Sequence, residues 1–248
     1  MKRSRIPKTE LEVSAICLGT MTFGTPVGEA DAVKLVQHAN DRGINFIDTA
    51  NMYEGYARII GSSGGVAEQI VGKAVAGRRD DYIIATKVGM NVGEAPEDEW
   101  TSPAAIHKHL DLSLQRMGID CLDIYYLHKA DPHTPLVDTL GTLNEVMKAG
   151  KVRYFGVSNY DAQQLSDLLQ VADANGLPRP VIIQPGMSLL KQDLCVDLLP
   201  LCEKEQIAVA PYQVLQGGLL TGKYRRGAEI PADSRKVEMD VWVWELND

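Results

Sequence analysis

The 248-residue chain predicts an α/β fold of the TIM-type (β/α)8 barrel class, a single barrel domain over 1-248. Three observations carry this. Short runs rich in branched and aromatic residues, the pattern of buried parallel strands, end near Leu18, Ile47, Lys87, His128, Val157, Ile183 and Pro211. Segments of helical periodicity lie between most of them, so the order is βαβα. The first strand-to-helix loop, Gly19-Thr-Met-Thr-Phe-Gly24, lacks the G-x-G-x-x-G of an open dinucleotide-binding sheet, which favours the closed barrel.

The elements follow in order. Thr9-Glu-Leu-Glu-Val-Ser14 alternates polar and apolar residues, so residues 1-14 predict a short N-terminal hairpin plugging the mouth opposite the site. Ala32, Leu35, Val36 and Ala39 make the first helical stripe, and Ala67, Ile70, Val71 and Ala74 the second. Ser102-Pro103 reads as an N-cap with proline at the first helical position, opening a helix that turns Ile106, Leu110, Leu114 and Met117 inward. Leu136, Leu140, Leu143 and Met147 repeat the theme, as do Leu165, Leu168, Leu169 and Ala172, then the shorter set Leu198, Leu201 and Cys202 behind Pro200. Residues 225-248 read as a loop or tail.

Composition excludes several functions. A net charge of −8 argues against a polyanion-binding surface, and so against nucleic acid as a partner. No apolar stretch of signal-peptide length follows the basic start, and no run approaches membrane-spanning length, so a cytoplasmic protein with no membrane partner is expected. Cys17, Cys121, Cys195 and Cys202 lack zinc-ligand spacing and read as buried reduced thiols. His107 and His109 diverge by about 200° around a helix, so no metal site is expected.

Asp48, Tyr53, Lys87 and His128 each stand where an apolar run gives way to a loop. In a barrel the active site is built at the C-terminal ends of the strands, which would gather these four on one rim. A tyrosine with its ordinary pKa near 10 donates a proton poorly at neutral pH unless a cation stabilises the phenolate. Lys87 is the candidate cation, Asp48 its counter-charge, and His128 a hydrogen-bonding partner for a substrate carbonyl. Taken singly, each has a plain structural alternative: a salt bridge, a loop aromatic, a strand-end histidine.

Five stretches together resemble the aldo-keto reductase family, in its order and nearly end to end. They are Phe46-Ile-Asp-Thr-Ala50 with Tyr53, Ala85-Thr-Lys-Val88, Leu127-His128, Gly150-Lys-Val-Arg-Tyr-Phe-Gly-Val-Ser-Asn159 and Gly217-Gly-Leu-Leu-Thr-Gly-Lys-Tyr224. The resemblance implies NAD(P)H-dependent reduction of aldehydes or ketones to alcohols, with Tyr53 as general acid, Lys87 and Asp48 tuning it, and His128 orienting the carbonyl. It implies NADP(H) by family precedent, with NAD(H) possible, its carboxamide held by Ser158, Asn159 and Gln184. Thr20, Met21, Tyr212, Gln213, Leu215, Gly217, Leu219 and Lys223 are further expected cofactor contacts. Phe23, Met52, Trp100 and Trp242 are expected pocket walls for a small carbonyl substrate. Ser158-Asn159 as a helix cap, and Gly217-Gly218 as a plain turn, remain structural alternatives.

The chain departs from the family pattern at three places. Met187 stands where a nicotinamide-stacking tyrosine is expected, and Tyr212-Gln-Val-Leu215 where Tyr-Ser-Pro-Leu is usual. The family's eighth strand and helix, which grip the adenosine end of the cofactor, are not expected before Asp248. That predicts open sheet edges and weak, poorly discriminating dinucleotide binding, with Val241-Trp-Val-Trp244 a possible edge strand and Lys223, Arg225 or Arg226 as substitute phosphate contacts. Two other functions are compatible with the sequence: a cofactor-binding regulatory subunit with little turnover, and a lyase using Lys87 as a Schiff-base amine.

Overall fold

The computed structural model describes residues 1–239 and 243. Trp242 lies outside these, and of the expected edge strand only Val243 is described. The chain opens with an antiparallel hairpin, β1 (Arg3–Arg5) and β2 (Glu12–Ser14), in which Arg3 faces Ser14. Parallel strands follow: β3 (Cys17–Gly19), β4 (Phe46–Asp48), β5 (Ile83–Val88), β6 (Leu122–Leu127), β7 (Val152–Ser158), β8 (Ile182–Gln184) and β9 (Ala208–Val209). Among the described residues these seven pair strictly in chain order, β3 to β9, as a curled sheet of the (β/α)8 type. Every predicted strand end falls within two residues of the observed one.

Helices α1 (Glu29–Asp41), α2 (Val66–Val75), α3 (Pro103–Met117), α4 (Leu136–Lys148), α5 (Ala162–Asn175) and α6 (Leu198–Glu205) connect successive strands, and α7 (Arg235–Glu238) follows β9. The Ser102 side chain accepts from the Ala105 N–H and Pro103 takes the first helical position, the cap its sequence predicts. The predicted stripes of α2, α3 and α5 are buried throughout. In α1, Leu35 is instead 41% exposed, because Ala32, Val36 and Ala39 define a narrower face and Leu35 lies at its flank. The thiols also differ from expectation. Cys202 is buried, Cys17 and Cys121 are half-buried, and Cys195 is exposed because it sits in a one-turn helix, Asp193–Cys195, outside the α6 stripe.

Strand alternation sorts side chains onto two faces. Ile47, Ile84, Tyr125, Leu127, Phe155, Val157 and Ile183 pack against the helical stripes. Phe46, Ala85, Ile124, Tyr126 and Ile182 form the inner cluster, joined by Ile6 and Leu11 of the hairpin, each 1% exposed. Two residues further along the same inward rows come Asp48, Lys87, His128 and Gln184. The apolar inner cluster is thus the floor beneath a polar layer at the strands' C-terminal ends.

An ionic clamp secures the opposite end. Asp123 on β6 is buried, pairs with Arg79 at 2.6 Å and Arg153 at 2.5 Å, and accepts the Ile84 N–H at 2.8 Å. Arg153 also pairs with Glu10 at 2.6 Å, tying the hairpin loop to β7. Hydrogen bonds from Tyr154 and Arg153 lower the Glu10 pKa to about 2. Asp123→Ala strands this arrangement and is expected to cost about 3 kcal/mol of stability in guanidinium unfolding. An unchanged midpoint would show that the clamp contributes nothing, and Glu10→Gln, at an exposed site, is expected to cost far less.

Candidate active site

Lys87, at the end of β5, is fully buried, and its ammonium places all three N–H groups. It donates to Asp48 Oδ1 at 2.5 Å, to the Thr49 carbonyl at 2.9 Å and to Tyr53 Oη at 3.0 Å. Burial alone would lower its pKa, yet the adjacent Asp48 and Tyr53 raise it above the ordinary lysine range, so the charge is held. Asp48 keeps its second oxygen bound by Gln184, whose Nε2 donates at 2.8 Å from β8 across the barrel.

Tyr53 behaves differently from the sequence expectation. Burial raises its pKa, Lys87 opposes that, Asp48 adds to it, and the balance lies above the ordinary value of 10.0. The neighbouring cation lowers the phenol, but burial outweighs it and the Asp48 charge adds to the rise. Tyr53 therefore keeps its proton at neutral pH, with a donor from Lys87 in place for the oxygen once the proton leaves. His128 meets the Tyr53 ring edge-on, centroids 6.0 Å apart. Burial, then Lys87, Lys129 and Arg58, push its pKa well below 6.5, so the imidazole is neutral.

These groups open onto a cavity of about 890 Å³. Asp48, Tyr53 and His128 line it with Thr20, Met21, Met52, Ser158, Asn159, Gln184, Tyr212, Gln213, Leu215, Gly217 and Lys223. Thr20 is fixed by two hydrogen bonds to the Asp48 carbonyl, from N and Oγ1, both 3.0 Å. Ser158 Oγ donates to the Gln184 carbonyl at 2.8 Å, and Asn159 Nδ2 to the His128 carbonyl at 2.9 Å. Ser158 and Asn159 do not cap α5: Asp161 does, its Oδ1 accepting from the Gln164 N–H while its own N–H donates to Gln164 Oε1. Gly217 (φ 64°) and Gly218 (φ 104°) adopt the left-handed backbone that favours glycine.

Other expected residues stand elsewhere. Phe23 is 1% exposed and belongs to the helix-covered core, held there by its N–H bond to the Thr20 carbonyl. Trp100 lies between the Lys129 ammonium, 3.7 Å from its ring centroid, and the His133 ring, and does not line the cavity. Leu219 is turned out of the lining by the paired glycines, whereas Thr221 is part of it. Met187 is not a wall either. The Tyr212 ring lies against Gly186, where a Cβ would come 3.0 Å from it, and brings an aromatic surface to the cavity instead. Tyr212 Oη donates to Asn159 Oδ1 at 2.7 Å.

Sequence reasoning missed Glu54, Tyr56, Arg58, Ile60, Met90 and Arg235, which also line the cavity. They sit in loops, in a one-turn helix at Gly55–Ala57 and at the start of the short α7, where no periodicity marks an inward side. Of the basic residues expected near phosphate, Lys223 lines the cavity and Arg225 and Arg226 do not; Arg235, which was not expected, does.

A sequence profile of the Aldo/keto reductase family matches residues 15–248. The chain is 38% identical to "Protein tas" of Escherichia coli (strain K12), over 95% of this chain and 74% of that protein. It is 33% identical to the "Probable voltage-gated potassium channel subunit beta" of Arabidopsis thaliana, over 95% of this chain and 70% of that one. A solved structure, the glycerol dehydrogenase AKR11B4 from Gluconobacter oxydans, superposes with a TM-score of 0.77 at 32% identity, covering 96% of this chain and 71% of that chain. With a matching profile across most of its length, and a site assembled on the inner rim of the matching fold, the chain belongs to the aldo/keto reductase family.

Proposed function

We propose that the chain reversibly reduces aldehydes or ketones to alcohols, using NADP(H) by family precedent or NAD(H), with Tyr53 as general acid. The observation that carries this reading is the buried hydrogen bond from Lys87 to Tyr53 at 3.0 Å, set in a cavity that His128 also lines. The likeness to a dehydrogenase of known structure supports it. Family membership supports oxidoreduction of carbonyl groups in general.

The cavity suits a nicotinamide dinucleotide. Ser158, Asn159 and Gln184 offer amide and hydroxyl groups beside the tetrad, Tyr212 offers a ring, and the backbone of Gln213 to Gly217 offers a lining free of charge. Lys223 and Arg235 supply cations for phosphate groups. Bound there, the cofactor supplies a hydride to the carbonyl carbon. The chain's own residues do the rest. Neutral His128 orients the carbonyl oxygen, Tyr53 donates its proton to that oxygen, and Lys87 stabilises the resulting phenolate. Lys87 does not serve as a Schiff-base amine in this scheme, because its three hydrogen bonds and raised pKa keep it an ammonium.

The likeness to a channel subunit favours a second reading, a cofactor-binding regulatory protein with little turnover. Among the described residues no helix is long and apolar enough to cross a membrane, and we assign the protein to the cytoplasm in either case. NADPH binding without turnover of any carbonyl in a broad aldehyde and ketone panel would support this second reading over the first.

Tyr53→Phe is expected to lower kcat by at least about 100-fold while nicotinamide fluorescence reports an NADPH Kd within a few-fold of the parent. Near-normal turnover would remove Tyr53 from the mechanism. Because the His128 pKa lies well below 6.5 and that of Tyr53 above 10.0, kcat for reduction is expected to be level between those values and to fall above the upper one as the acid loses its proton. A maximum near neutrality would contradict these assignments. Arg235→Ala is expected to weaken NADPH about tenfold more than NADH. Equal losses would show that Arg235 does not read the extra phosphate.

A further inference from the structure

Gln184 makes a contact that holding a cofactor does not require. It stands at the C-terminal end of β8, 7% exposed, and its Nε2 reaches Asp48 Oδ2 at 2.8 Å from a position 136 residues along the chain. Asp48 is itself 6% exposed, and Lys87 occupies its other oxygen at 2.5 Å. A buried carboxylate oxygen without a donor is costly, and a donor that carried a full charge would compete with Lys87 for the same anion. A neutral amide meets the first need without creating the second. Facing Asp48 from the other elements are Lys87 and Tyr53, with the Cys17 thiol on β3 and the Tyr126 hydroxyl on β6, whose ionisation is disfavoured first by burial and then by the Asp48 charge.

The backbone of Gln184 is held with equal care. Its carbonyl accepts from Ser158 Oγ at 2.8 Å and from the Asn159 N–H at 3.3 Å. Asn159 in turn accepts from Tyr212 Oη at 2.7 Å and donates to Ser158 Oγ at 3.2 Å. A continuous hydrogen-bonded path therefore runs Tyr212, Asn159, Ser158, Gln184, Asp48, Lys87, Tyr53. It crosses the barrel interior from the loop after β9 to the loop after β4.

We propose that Gln184 is a positioning residue for the proton donor: its amide fixes the second oxygen of Asp48, so that the nicotinamide seat and the Tyr53 acid form one hydrogen-bonded unit. This rests on the reading of Tyr53 as the general acid. Occupancy of the seat and alignment of Lys87 beneath the phenol then depend on the same side chain, and loss of the amide loosens Asp48 and with it the Lys87 to Tyr53 bond.

Gln184→Leu, of similar volume and without a donor, is expected to lower kcat at saturating NADPH about 10- to 100-fold, a loss beyond the weaker NADPH binding that its place in the seat predicts. Gln184→Glu keeps the shape and guards against a folding defect in the first variant. Its carboxyl can donate to Asp48 only when protonated, so activity is expected to recover as the pH falls and to collapse as it rises. A rise in NADPH Kd with unchanged kcat and pH profile in both variants would overturn the proposal and leave Gln184 as a cofactor ligand alone. Tyr53→Phe, assayed in parallel, separates the two levels: full turnover there refutes the general-acid reading itself, whereas an inactive Tyr53→Phe beside unaltered kcat in the Gln184 variants refutes only the coupling.

Discussion

A fully buried ammonium is the constraint around which this structure is arranged. Lys87 is 0% exposed, and an isolated charge at that depth would shed its proton rather than persist. Asp48 prevents that, the Thr49 carbonyl and Tyr53 hydroxyl complete its hydrogen bonding, and Gln184 satisfies what remains of the carboxylate. The partners come from the end of β4 with the loop that follows it and, across the barrel, from the end of β8. The cluster exists only while β4, β5 and β8 hold their register, which makes the chemistry a direct reporter of the fold.

Register is held by what lies beneath. The inner rows pass from apolar floor to polar rim within two residues, so a one-residue slip of any strand would send its polar group toward the helices. Small residues make the floor possible. Gly156 faces Tyr126 and Ile182 so closely that a Cβ would lie 2.6 Å from the Tyr126 ring and 2.7 Å from the Ile182 carbonyl. Ile6 and Leu11 close the inner cluster from the hairpin, and the Asp123 clamp fastens that hairpin to the strands. The clamp and the Lys87 cluster are both buried ion pairs, yet they differ in kind. One lies among partly exposed arginines, and the other borders a cavity.

The electrostatics of the rim follow from burial and from charge at short range. Because burial outweighs the neighbouring Lys87 and the Asp48 charge adds to the rise, the phenol of Tyr53 stays protonated. His128 lies where burial and three surrounding cations all disfavour a further positive charge, and stays neutral. A protonated phenol and a neutral imidazole side by side offer two hydrogen bonds to one acceptor oxygen. That is the arrangement a carbonyl group can use.

The strands, their helical stripes and the four residues of the tetrad were legible in the sequence because each depends on local pattern: apolar runs that end in a titratable residue, and stripes at helical spacing. Five ordered stretches, taken together, also made the family legible. What the sequence could not contain was which side of a loop faces inward. Phe23 and Trp100 read as pocket walls, yet one is core and the other lies between Lys129 and His133, while Arg58, Met90 and Arg235 line the cavity without any periodic signal. The aromatic wall expected at Met187 comes from Tyr212, brought alongside by a backbone bridge to Gly186. The amide of Gln184, expected as a cofactor contact, also reaches Asp48 across the barrel. Sequence alone determined which elements form and where their polar ends fall, because those are properties of neighbours along the chain. Only the tertiary structure decided which polar ends meet, because curling the sheet brings together residues that no local spacing relates.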